Sequence, residues 1–338
     1  MNPKKYIFIT IFLAAVFVFV ILEIGLRCYT YVRYSTNTVR FVPHSRLIYE
    51  HRPSITFVNK EGIKITYNSL GFIGDEISPK GNNVFRILSI GDSIASGEYL
   101  QKNQRYINMM GDILSKHTTK KIDIVNAGVI GYNSWQEAEL LKTKGLSVKP
   151  DLIIVSLCFN DDRGWRPEIR KTWFGGIREI PRHHKKARHL NFLYQRSQLF
   201  QFIYDRMYFL KKSLKKQKRY YEEHEWKSEM KKWREPLEEI ISLAKDHNIE
   251  ILFVVFPLEQ QILKKEDNSS KPLADFFKER NIYFLDMIKA FNRNSDKKLY
   301  IERDSIHPNA TGSAIAAEAM ANYIIEKKIP FFSGKNGL

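Results

Sequence analysis

Cysteine is nearly absent: the 338 residues hold two, Cys28 and Cys158. Two thiols so far apart give no basis for a disulfide framework or a Cys-based metal site, and they leave the redox compartment unmarked. Acidic residues are also in short supply, with 37 Asp and Glu against 54 Lys and Arg and a net charge of +17. There is no phosphate-cradling glycine loop with its lysine and no metal-ligand cluster, so no cofactor and no metal are expected. Internal repeats are missing too. Apolar residues are not scarce, at 43% of the chain with 13% aromatic, which excludes a mainly disordered protein. The length suits one large or two modest domains with a substantial core.

The clearest local signal is at the N-terminus. Tyr6 to Leu22 is apolar except for Thr10, and Ile24 to Leu26 continue the run after Glu23. This approaches the roughly 20 residues that span a bilayer, so residues 1–33 read as a transmembrane anchor. A cleaved signal peptide is the rival reading, since Lys4 and Lys5 precede the run, but no small-x-small site follows it. Arg27 directly before Cys28 argues against a lipoprotein signal. Basic residues flank both ends, and the expected orientation puts the bulk of the chain outside the cytoplasm.

Residues 34–83, punctuated by Pro43, Pro53 and Pro79, read as a linker and N-terminal extension. From Val84 short apolar runs alternate with amphipathic segments. Strands are expected at Phe85 to Ile90, Ile122 to Asn126, Asp151 to Leu157, Glu250 to Phe256 and Ile282 to Leu285. Helices are expected at Gln104 to Lys116, Ser134 to Lys144, Arg234 to Asp246, Pro272 to Glu279 and Ala310 to Lys327. Continuous apolar strands separated by helices imply a doubly wound α/β domain with a buried parallel sheet over residues 84–330. One insertion, residues 163–234, breaks the alternation. It carries 21 Lys and Arg against 7 Asp and Glu, so most of the chain's excess positive charge lies there, and its second half is expected to be helical.

Ligands of open α/β sheets bind beyond the carboxyl ends of the strands, so the loops there hold the candidate site. Gly91-Asp92-Ser93 follows the first strand, where Ser93 suits a helix N-cap as well as it suits chemistry. "NAGVIG", Asn126 to Gly131, follows the second, and its glycines allow a tight turn with an exposed N–H. "CFND", Cys158 to Asp161, brings the Asn160 amide to the same rim. Near the C-terminus "DSIHP" holds Asp304 and His307 three residues apart, followed by Pro308 at the start of the last helix. Such a turn can set a carboxylate on imidazole Nδ1 and leave Nε2 to take a proton from a serine.

Together these four blocks resemble the SGNH/GDSL hydrolase superfamily, in particular its membrane-anchored bacterial type. The resemblance covers about Val84 to Lys327 without the insertion. It implies a flavodoxin-like three-layer α/β/α sandwich with a five-stranded parallel sheet. It also implies Ser93 as nucleophile, His307 as general base and Asp304 as its orienting partner. The oxyanion hole would be the N–H groups of Ser93 and Gly131 with the Asn160 side chain. Ile94 and Cys158 stand where the family's blocks usually have leucine and glycine. Tyr67 to Glu76 resembles the segment before the first block in anchored members, and is expected to pack near the site.

The expected activity is a serine ester hydrolase removing acyl groups, acetyl foremost, from a cell-surface glycan or lipid ester. Alternatives are an O-acyltransferase acting on an extracytoplasmic polysaccharide and a catalytically silent glycan-binding protein. The basic insertion suits anionic glycans or phospholipid headgroups, and equally a solvated helical hairpin. Nucleic acid is not an expected partner, because no nucleic-acid-binding motif accompanies the charge.

Overall fold

The structure is a computed structural model that describes residues 3–37, 40–59, 61–158, 169–171, 177–179, 197–200, 202–204, 206–207, 226–266 and 270–329. Asn160 and most of the insertion 163–234 lie outside the described residues. The chain divides into two units, Met1–Val42 with Glu168–His224, and Pro43–Pro167 with Glu225–Leu338.

In the first unit, α1 (Pro3–Asn37) contains a stretch, Pro3–Tyr29, long and apolar enough to cross a membrane. Its one acidic residue is tied down. Glu23 accepts the N–H groups of Gln198 and Leu199 and the Ser197 hydroxyl, each at 2.9 Å, and pairs with Arg27 one turn on. Within the insertion two short strands, Ile169–Lys171 and Ile177–Glu179, form an antiparallel ladder.

The second unit is built on a five-stranded parallel sheet of β1 (Val84–Gly91), β2 (Lys121–Asn126), β3 (Leu152–Cys158), β4 (Glu250–Phe256) and β5 (Tyr283–Asp286). Their spatial order is β2-β1-β3-β4-β5, the flavodoxin-like order, whose switch point lies between β1 and β3. β3 is buried along its whole length, as a strand covered on both faces must be. Phe85 and Ile87 of β1 join Leu152, Ile154, Leu252 and Val254 in a core shared with Met110 and Met320, from helices at Tyr106–Ser115 and Ala310–Glu326. On alternate positions Leu88, Val155 and Phe253 are equally buried, and the Phe253 ring stacks on Phe277 at 4.3 Å. These two cores make the three layers.

The helix expected from Arg234 begins earlier, at Trp226, and runs to Asp246 with Pro236 inside it. Trp226 to Trp233 lie in the second half of the insertion, where helix is expected.

Residues 43–83 belong to this unit. The strands Ile55–Val58 and Lys64–Tyr67 form an antiparallel hairpin over a small core of Ile63, Ile65, Tyr67 and Ile73. The Ile73 N–H bonds Asn126 O at 2.8 Å, and the Tyr67 hydroxyl donates to Glu98 at 2.8 Å. The segment Tyr67 to Glu76 thus pairs with the end of β2, where the glycine loop begins.

Candidate active site

The rim at the switch point is assembled from three loops. At the end of β1, Gly91 takes φ +149°, and a Cβ there would lie 2.8 Å from both Ser156 O and Ala95 Cβ. Glycine lets the chain leave the sheet against β3 and enter a one-turn helix, Ser93–Ser96. The N-cap of that helix is Asp92, whose carboxylate accepts the Ile94 N–H at 2.9 Å. Asp92 does the capping, and the Ser93 hydroxyl, which lies 3.3 Å from Asp92 Oδ2, has a second and closer partner. Ile94 buries its side chain in the core below, at 1% exposure, which fixes the turn from beneath.

That partner is His307, with Nε2 2.7 Å from Ser93 Oγ. Imidazole Nδ1 lies 2.6 Å from Asp304 Oδ2. The turn that makes this possible is held by Asp304 Oδ1, which accepts the N–H groups of Ile306 at 2.9 Å and His307 at 3.1 Å. Burial pushes the Asp304 carboxyl up, but those two N–H groups and the imidazole outweigh it and hold the group below the usual carboxylate range. Asp304 is therefore an anion when the imidazole needs its Nδ1 proton held, which leaves Nε2 to accept from the serine. Asn309, not Pro308, starts the last helix: its side chain accepts from the Thr311 and Gly312 N–H groups. Pro308 stands one residue earlier.

The loop after β2 closes on this turn. Asn126 Nδ2 donates to Ala95 O and Ser96 O at 3.0 and 3.2 Å, its Oδ1 accepts the Gly128 N–H, and the Val129 N–H bonds Gly91 O. Val129 to Tyr132 is a hydrogen-bonded β-turn, and Gly131 has the φ of +80° that a type II turn requires at its third residue. Among the described residues, the N–H of neither Ser93 nor Gly131 has an acceptor.

Of the residues expected from sequence, the structure thus joins Ser93, His307 and Asp304 in one hydrogen-bonded line and places the Gly131 loop against the serine turn. Asn160 lies outside the described residues, just past the end of β3. The Cys158 thiol is wholly buried in the core. No group of three His, Cys, Asp or Glu among the described residues is placed to hold a metal ion.

Two neighbours carry no sequence signal. The Tyr99 ring packs on the His307 imidazole at 4.9 Å, limiting its rotation. Glu137, on the helix Ser134–Thr143, is wholly buried, and neither of its oxygens has a hydrogen-bond partner among the described residues. Burial, and then the charge of Asp92, push its carboxyl well above the usual range, so it is held as the neutral acid. An acid raised by folding costs stability once the unfolded chain can ionise it, from about pH 4.3 upward. Glu137→Gln stays neutral at every pH. The variant's unfolding free energy relative to wild type is therefore expected to rise steadily from pH 5 to pH 8 in urea titrations. A pH-independent difference would show that Glu137 is ionised in the folded protein.

A hydroxyl, an imidazole and a carboxylate in line at the switch point of a flavodoxin-like sheet define an SGNH-type esterase. The comparison with known families agrees: the GDSL-like Lipase/Acylhydrolase family matches residues 89–315. The chain belongs to that family. Solved structures to which the chain is similar include a lipolytic protein of the G-D-S-L family from Desulfitobacterium hafniense DCB-2, at 13% identity and TM-score 0.43, covering 70% of this chain and 98% of that one. Another is the acetyl xylan esterase AlAXEase, at 16% identity and TM-score 0.45, covering 71% and 100%. A third is a catalytic mutant of an acetylxylan esterase from Geobacillus stearothermophilus, at 16% identity and TM-score 0.44, covering 74% and 96%. Curated proteins give no match.

Proposed function

We propose that this esterase works through an acyl-serine intermediate, with Ser93 as nucleophile, His307 as general base and Asp304 as the group that orients it. The observation that carries this reading is the unbroken line from Asp304 Oδ2 through His307 to Ser93 Oγ, at 2.6 and 2.7 Å. Oγ attacks the ester carbonyl carbon while its proton passes to Nε2. The carbonyl oxygen, now an oxyanion, takes hydrogen bonds from the Ser93 and Gly131 N–H groups and from the Asn160 amide. Collapse expels the alcohol, which leaves with the proton from Nε2. Water then repeats the sequence on the acyl-serine and releases the acid.

The substrate class we assign is an acyl ester, acetyl foremost, on a cell-surface glycan or lipid. The apolar stretch Pro3–Tyr29 would hold the enzyme on a membrane with residues 84–330 as an extracytoplasmic hydrolase domain. The basic segment 163–234 would draw in anionic glycans or headgroups. Water and a glycan hydroxyl compete for the same acyl-serine, so a transferase differs from a hydrolase only in what reaches Ser93 second.

Purified protein is expected to be labelled by a fluorophosphonate and to release acetate from an acetylated oligosaccharide. Both are expected to vanish in Ser93→Ala. Wild-type protein that takes no label would favour a silent glycan-binding role. Acetyl found on an added glycan acceptor instead of in solution would convert the hydrolase into a transferase.

A further inference from the structure

Tyr49 of the N-terminal extension reaches the rim. Tyr49 lies on the short strand Ile48–His51, outside the segment 89–315 matched by the family. Its hydroxyl donates to Ile130 O at 2.6 Å. The strand is held there from the other side: the Tyr132 hydroxyl donates to Tyr49 O at 2.6 Å, and Gln136 Nε2 to Leu47 O at 2.8 Å. The Tyr49 and Tyr132 rings meet at 5.5 Å.

Ile130 O and the Gly131 N–H belong to the same peptide. That peptide is trans, as all among the described residues are, so its C=O and N–H point in opposite directions. It is also the central peptide of the Val129 to Tyr132 turn. Type I and type II turns differ in the orientation of this peptide, and φ +80° at Gly131 selects type II. A hydroxyl bonded to the carbonyl therefore fixes which way the amide faces. The fit is close: a Cβ on Gly131 would lie 2.8 Å from the Tyr49 hydroxyl oxygen, leaving room for hydrogen only.

We propose that Tyr49 is a positioning residue for the oxyanion hole, locking the Ile130–Gly131 peptide in the flip state that presents its N–H to the substrate oxyanion. Tyr49 touches no reacting atom. It acts by making one of two turn conformations the resident one, so that no reorganisation is needed when charge develops. The inference rests on the acyl-serine reading of the site. It adds that the extension 43–83 is part of the catalytic apparatus.

Tyr49→Phe keeps the ring and removes the hydroxyl. With full-length protein and p-nitrophenyl acetate, kcat is expected to fall roughly 10- to 100-fold while KM changes less than about twofold, the pattern of an interaction made in the transition state. A trifluoromethyl ketone, whose serine adduct carries the oxyanion, is expected to lose affinity by the same factor as kcat/KM. The thermal midpoint is expected to move by only a few degrees. Wild-type kcat in Tyr49→Phe overturns the proposal, as does a fall in kcat with unchanged ketone affinity, which would mean general loosening. If the wild type itself shows no Ser93-dependent hydrolysis, the acyl-serine reading fails instead, so the two failures are distinguishable.

Discussion

His307→Ala is expected to slow ester hydrolysis by roughly 10⁴-fold or more, with KM little changed and the fold intact. The imidazole has one partner on each nitrogen, Asp304 at 2.6 Å and Ser93 at 2.7 Å, and a methyl group can neither take the serine's proton nor return it to the leaving alcohol. A neutral serine hydroxyl at pH 7 is a poor nucleophile, so the whole gain from removing its proton at the moment of attack is lost. The side chain is partly exposed, at 21%, and packs on Tyr99 rather than filling the core, which keeps the stability loss small. Since Ser93 and His307 act as one unit, the double variant with Ser93→Ala is expected to be no slower than either single variant. Multiplying losses in steady-state assays would show that the two residues act independently, and the line of hydrogen bonds would then be structural.

The second large effect falls on a residue with no reactive group. A Cβ on Gly128 would lie 2.4 Å from Ser96 N and 2.6 Å from Ala95 C, inside any tolerable contact. Both obstacles are backbone atoms of the helix that begins at Ser93, so no side chain can swing aside. That helix is itself pinned by Asn126 Nδ2 on its carbonyls. Gly128→Ala must push the loop and the serine turn apart. Overpacking of this kind costs about 1–3 kcal/mol or more of stability. A shift of even about 1 Å at the nucleophile can cost on the order of 10²-fold in rate. Gly81→Ala is the matched control, because the nearest atom there is Val84 Cγ2 at an ordinary 3.9 Å. Urea midpoints and kcat/KM for the pair are expected to differ in both quantities. Equal behaviour would mean that the loop yields without disturbing Ser93.

The five strands could be read from sequence because a sheet covered on both faces needs uninterrupted apolar runs, and β3 and β4 are written that way. The serine was ambiguous for a physical reason: Asp92 and Ser93 are both good caps, and only the folded turn shows Asp92 taking that job. The Asp304–His307 pair was legible because three residues of spacing suffice to bring carboxylate and imidazole together. Tyr49 and Tyr99 had no such signature. Each meets the site through a contact that exists only after the extension and the rim have packed, and nothing in the local pattern of a short strand or a helix exit marks it.

The parallel pairing of β3 with β4 joins Leu152 to Glu250, so the sheet is closed across a connection of about a hundred residues. Chain entropy charges for such a closure only logarithmically. Against an ordinary βαβ crossover of about thirty residues, the extra length costs about 1 kcal/mol. The strands bearing the serine turn meet over shorter spans, Val84 pairing with Lys121 and Ile87 with Leu152. The basic segment is spliced into the crossover between the half of the sheet that carries the nucleophile and the half that leads to its base, at little entropic cost to the pairing.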